Sequence, residues 1–113
     1  MISCLDGAKK LVGAFELNTQ GKLIILSDKN NADFLDYVLQ AAKELGIADV
    51  TSVVIPEIFR PLTKIPSTLE SAIENSDALL QIVSRIPEEN FNFNRPILNL
   101  CKEVGSRYLY IYD

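Results

Sequence analysis

The sequence predicts a three-layer α/β/α sandwich around a four-stranded parallel sheet. Three observations lead there. Four apolar runs of strand length occur at 23–26, 50–55, 78–83 and 108–112, and the stretches between them carry helical spacing. The runs have few polar interruptions, as strands do when helices cover both faces of a sheet. Finally, the order is a helix, then strand–helix three times, then a strand, the alternation of parallel crossover units.

Residues 2 to about 17 set Ile2, Leu5, Ala8, Leu11, Val12 and Phe15 on one helical face, weakened by Gly7 and Gly13, before a polar break at Asn18–Gly21. Leu23–Leu26 is the first strand, closed by Ser27 and Asp28. Asn30 or Asn31 then caps a helix to about Leu45, buried along Phe34, Leu35, Val38, Leu39, Ala42 and Leu45, with Gly46 as its left-handed terminator. Val50–Ile55 is the second strand, stopped by Pro56. Ser67-Thr68-Leu69-Glu70 reads as a capping box opening a short helix. Ala78–Val83 is the third strand. Pro96 belongs to the first turn of a last helix ending at Gly105, and Tyr108–Tyr112 is the fourth strand.

With crossovers of one hand, the expected strand order is 2-1-3-4, half of a doubly wound, flavodoxin- or Rossmann-like sheet in one domain spanning 1–113. The first two helices then share one face and the last two the other, separating Cys4 from Cys101. Both cysteines read as small buried hydrophobes on helices, without zinc spacing or a Cys-x-x-Cys pair, and a reducing, cytoplasmic setting follows.

Composition narrows the chemistry. The net charge of −4, from 11 basic and 15 acidic residues, argues against nucleic acid as a partner. No apolar stretch reaches the roughly 20 residues that span a bilayer, and the N-terminus shows no secretory pattern. There is no histidine, which removes Ser-His and Cys-His nucleophile pairs and imidazole metal ligands. After the first strand, Ser27-Asp28-Lys29-Asn30-Asn31 lacks the glycines that let a pyrophosphate approach the backbone. The expectation is therefore no catalytic residues, no metal and no cofactor.

In open α/β sheets, ligands bind beyond the carboxyl ends of the strands. That rim gathers Asp28, Asn30, Arg60, Ser84, Arg85 and Arg95, with Glu88 and Glu89 nearby. Its arginines suit a small anionic ligand, or else pair with Glu57 or Glu88. Asp28 is a ligand group or a polar strand end. Glu88 and Glu89 are metal ligands, a base, or simply solvated carboxylates. Phe91 and Phe93 anchor the loop or form a contact patch. An edge strand carrying Tyr108, Tyr110 and Tyr112 is a candidate interface with another subunit.

Several segments, taken in order, resemble one family. They are Gly21-Lys22-Leu23-Ile24-Ile25-Leu26-Ser27-Asp28, Ala41-Ala42-Lys43-Glu44-Leu45-Gly46, Ile65-Pro66, Ser76-Asp77-Ala78-Leu79-Leu80 and Gly105-Ser106-Arg107-Tyr108-Leu109. Together they are similar to the amino-terminal domain of the thermophilic-type metalloaminopeptidases, the aminopeptidase T-like leucyl aminopeptidases, and of related ring-cleaving dioxygenases. Arg95 falls near an arginine that the family carries after its third strand. The resemblance runs over about 8–113. It implies the family's non-catalytic domain, because the family's metal ligands, histidines among them, lie in a carboxyl-terminal domain without a counterpart here. The leading expectation is a stand-alone non-catalytic module that self-associates or serves a protein partner. An anionic-ligand module and a carboxylate-dependent metal enzyme using Asp28 with Glu88 or Glu89 are the alternatives.

Overall fold

Helices cover both faces of the sheet, and that is why runs without polar alternation form its centre. The structure, a computed structural model, describes residues 4–111. Helix α1 (Cys4–Gly13) precedes strand β1 (Lys22–Asp28), helix α2 (Ala32–Glu44) and strand β2 (Asp49–Ile55). Helix α3 (Ser67–Glu74), strand β3 (Ala78–Ile82), helix α4 (Arg95–Val104) and strand β4 (Arg107–Ile111) follow. The order is β2-β1-β3-β4, with every neighbouring pair parallel, as expected.

Successive strand residues feed opposite cores. Leu23, Ile25, Ala78 and Leu80 pack with Ala8, Val12, Val38 and Ala42 of α1 and α2. Ile24, Leu26 and Leu79 pack with Leu69, Ile73, Ile97 and Cys101 of α3 and α4. Each buried aliphatic side chain contributes about 1.5–3 kcal/mol, so the two central strands, closed on both faces, hold most of the stability. The edge strand β2 is far more open, with Thr51, Ser52 and Val54 exposed.

Several local expectations change. The first helix stops at Gly13 rather than near Leu17, because tight turns from Phe15 to Val12 and Glu16 to Gly13 unwind it and Glu16 takes φ 53°. Its proposed start at Ile2 lies outside the described residues. Ser67 does not cap α3. The cap residue is Pro66, whose extended backbone and ring suit a helix entry and whose carbonyl accepts from the Glu70 N–H at 2.9 Å. Asn31 does take the cap position of α2, but its side chain makes no capping bond, since a 3-10 turn (Lys29–Asn31) leads into the helix and the Asn31 amide turns back to Asp28. Gly46 (φ 82°) and Gly105 (φ 76°) adopt the left-handed conformation expected past a helix end.

The cysteines lie on opposite faces, but only Cys101 is buried; Cys4 is exposed, being near the start of α1 on its outward side. Burial pushes the Cys101 thiol up to about 11, while a Ser106 hydrogen bond partly opposes it. A thiol reagent at pH 8 is therefore expected to titrate one cysteine in the folded chain and both in denaturant. Two fast equivalents without denaturant would contradict the packing of α4.

Candidate functional site

The end of β1 and the loops after β2 and β3 meet at the carboxyl rim of the sheet. Asp28 closes β1 with a side chain that is fully buried. Burial opposes its charge, but three donors outweigh it: the Ser84 N–H at 2.7 Å, the Asn31 amide at 2.6 Å and Arg60 Nη1 at 2.9 Å. Together they hold the carboxyl below its ordinary value of 3.8.

Arg60 enters from the β2–α3 loop, just before the cis Arg60–Pro61 bond. Its guanidinium grips Glu89 with two donors, Nε to Oε2 at 3.1 Å and Nη2 to Oε1 at 2.6 Å, and Nη2 also donates to the Ser84 carbonyl at 3.1 Å. Glu89 Oε2 accepts in addition from the Leu62 N–H at 2.9 Å. The Glu89 bonds, against burial, raise the Arg60 pKa and keep it charged. The result is a buried carboxylate–guanidinium–carboxylate cluster with side-chain exposures of 0%, 3% and 1% for Asp28, Arg60 and Glu89.

A second polar chain runs alongside. Tyr108 donates to Gln81 Oε1 at 2.6 Å, Gln81 Nε2 to Asn94 Oδ1 at 2.9 Å, and Asn94 Nδ2 to Asn90 Oδ1 at 3.2 Å. Burial raises the Tyr108 pKa, and burial followed by the Glu89 carboxylate raises that of Tyr110. The chain binds β4 to β3 and to the turn preceding α4.

Asp28, Arg60 and Ser84 are thus brought together, and Asn30 reaches the Ser84 hydroxyl at 3.4 Å. Arg85 is exposed, and exposed Arg95 lies over the Phe91 ring at 4.8 Å. Arg60 pairs with Glu89 and Asp28 rather than with Glu57 or Glu88. Glu89 is buried, not solvated, because the bidentate guanidinium compensates its charge. Tyr108 and Tyr110 are half-buried against the α3–α4 core, and Tyr112 lies outside the described residues. Of the two loop phenylalanines, Phe93 is an anchor with no exposed surface and Phe91 is 70% exposed.

Chemically, the cluster faces inward. Arg60 directs four of its five N–H donors at protein oxygens. Its guanidinium stands between Asp28 and Glu89, the place a cation bridging those carboxylates would take. Among the described residues, no group of three or more His, Cys, Asp or Glu side chains is arranged to hold a metal ion. Sequence reasoning missed Glu89, Gln81 and Asn94 as partners. Gln81 carried a usable signal, since a polar residue inside a doubly covered strand needs a buried partner.

The depressed pKa of Asp28 carries a sign. The ionised form favours the folded chain, so its contribution is complete above the unfolded value near 3.8 and is lost as pH falls through the lower folded value. Urea midpoints of the wild type minus those of Asp28→Asn are expected to stay level from pH 7 to about 5 and to shrink below about 4. Parallel acid profiles would contradict the charged state of Asp28.

Away from the rim, an apolar cleft of about 390 Å³ opens between β2 and α3. Val53, Ile55, Phe59, Leu62, Leu69 and Ala72 line it, Thr51 and Thr68 supply the only side-chain hydroxyls, and no lining residue is charged. Beside it, Ile58 is 86% and Phe59 67% exposed. This surface played no part in the sequence reading, because long apolar residues in a loop after a strand look the same whether buried or exposed.

No protein-family model matches the chain, and no curated protein does. Among solved structures, wild-type AmpT from Thermus thermophilus, an aminopeptidase T, aligns with a TM-score of 0.65 at 17% identity, over 96% of this chain and 35% of the AmpT chain. The chain therefore spans about a third of the length of that neighbour. What the two share at this identity is a fold.

Proposed function

We propose that this chain is a non-catalytic α/β module that works by protein contact through its β2–α3 side. The observation that carries the reading is the uncharged cleft of about 390 Å³ flanked by Ile58 and Phe59. Apolar surface gathered in one place, next to an open sheet edge, marks a contact region more often than scattered apolar residues do. The likeness in fold to a third of AmpT supports a building-block role, with this chain corresponding to the amino-terminal domain of such aminopeptidases. The rim supports the same reading from the other side, because Arg60 is committed to internal carboxylates. A small-molecule site of this size usually adds several convergent polar groups, where this cleft has two threonines.

Chemical crosslinking in the native host tests the reading, comparing wild type with Ile58→Lys/Phe59→Lys. Both positions are exposed, so the fold should change by no more than about 0.5 kcal/mol. The wild type is expected to give discrete adducts, with itself or with another protein, that the variant loses. No adducts, or the same adducts on the variant, would refute the assignment.

A further inference from the structure

We infer that the partner at this surface is a second copy of the chain, joined by antiparallel pairing of the two β2 strands about a two-fold axis near Ser52. The two four-stranded sheets then form one continuous sheet. The inference rests on the functional reading above and names the partner.

The first ground is the state of the edge. All seven residues of β2 pair in register with β1 without a bulge, so its outer side presents a regular row of backbone donors and acceptors about 23 Å long. Proteins usually blunt such edges with lysine, proline or a bulge. Asp49-Val50-Thr51-Ser52-Val53-Val54-Ile55 has none of these, and its only charge stands at one end. The opposite edge differs, because β4 begins with Arg107 and its Tyr108 and Tyr110 rings turn under the α3–α4 core.

The second ground is self-complementarity, which an isologous contact requires. An axis near Ser52 sets Thr51 beside the copy's Val53, and Val50 beside the copy's Val54. Asp49 then lies across from the copy's Ile55, about 20 Å from the copy's Asp49. A chain of net charge −4 can in this way meet itself along a neutral strip, with no like charges opposed.

The third ground is incomplete cover on both faces of β2. Val54 is 50% exposed on the α2 side, and the cleft lies open on the α3 side. Pairing brings the copy's Thr51 and Val53 alongside the cleft, so the two clefts run together between the two α3 helices. Ile58 and Phe59, following β2, come to the end of the copy where Leu45 is 44% exposed. These flanking residues matter, because a stable dimer buries about 800 Å² per partner, more than a strip of backbone provides.

Sedimentation velocity of the purified chain from about 1 to 200 µM is the test, with a species of twice 12.6 kDa expected. Ser52 is exposed, so Ser52→Lys and Ser52→Glu should each fold, as circular dichroism would verify. Each should weaken the dimer at least about tenfold, because the axis sets each new charge against its own copy. An equimolar mixture should restore it, lysine now facing glutamate. Amide exchange in β2 should slow as wild-type concentration rises. A monomer at every concentration, a dimer indifferent to both substitutions, a mixture that stays monomeric, or β2 exchange independent of concentration would overturn the inference. A purified monomer that still gives host adducts sinks only the second-copy assignment, whereas the absence of adducts sinks the functional reading itself.

Discussion

Replacing Arg60 by alanine is expected to cost about 3–5 kcal/mol, one of the two largest single-residue effects in this chain. Two carboxylates, Asp28 and Glu89, would remain buried, with side-chain exposures of 0% and 1%, and their shared cation would be gone. The Ser84 carbonyl would lose a donor as well. A domain of this size has a total stability of about 5–15 kcal/mol, so the variant should be marginal, with a urea midpoint lower by roughly 2 M. Arg60→Lys should recover only part of the loss, because one ammonium cannot reproduce the fork that grips Glu89 while reaching Asp28. Arg60→Met combined with Glu89→Gln should be more stable than Arg60→Ala, since it removes the stranded charge at Glu89. A loss below about 1 kcal/mol for Arg60→Ala would mean that water reaches the cluster and screens it.

The second large effect is expected at Phe93. Its ring has no exposed surface and packs with Leu26, Val83 and Ile97 in the α3–α4 core, joining the turn before α4 to the sheet. Phe93→Ala should cost about 3–5 kcal/mol through lost burial and the cavity left behind. Two residues earlier, Phe91 is 70% exposed and lies under Arg95. Phe91→Ala should change stability by no more than about 0.5 kcal/mol. Thermal or urea unfolding of the pair measures the contrast. Equal losses at both positions would show that the five-residue π-helical turn at Asn90–Asn94 does not carry one ring into the core and leave the other in solvent.

These expectations separate two roles that one rim combines. In an open α/β sheet the carboxyl edge is where ligands usually sit. Here, three loop ends are fastened there by charge instead. The fastening also shapes the β2–α3 loop, because Arg60 and the Leu62 N–H are both held by Glu89. Phe59 and Leu62 on either side of that anchor line the apolar cleft. The buried cluster thereby positions the surface to which the contact role is assigned, and a destabilised Arg60 variant should lose its adducts along with its fold. The exposed Ile58→Lys/Phe59→Lys variant should lose adducts alone.

Sequence periodicity located the four strands and the helices between them, and the one-handedness of crossovers with the doubly wound pattern then supplied their common direction, their order and the split of helices between faces. The elements themselves depend on which residues are apolar and on how far apart they lie, and both can be read along the chain. The glycine terminators at Gly46 and Gly105 were legible for a similar reason, since a left-handed φ after a helix excludes most other residues. Helix entries were less legible: Pro66 rather than Ser67 holds the cap position of α3, because neighbouring residues compete for the cap on differences of about 1 kcal/mol. Tertiary structure alone decided that Arg60 pairs with Glu89 and Asp28, residues 29 and 32 positions away. It also decided that Glu89 is buried while Glu88 is exposed, and Phe93 buried while Phe91 is exposed. Charge pairing and burial in a loop follow from distances between elements that the order of residues does not encode locally. The open face of β2 belongs to the same class, because an apolar residue is written identically whether a helix covers it or not.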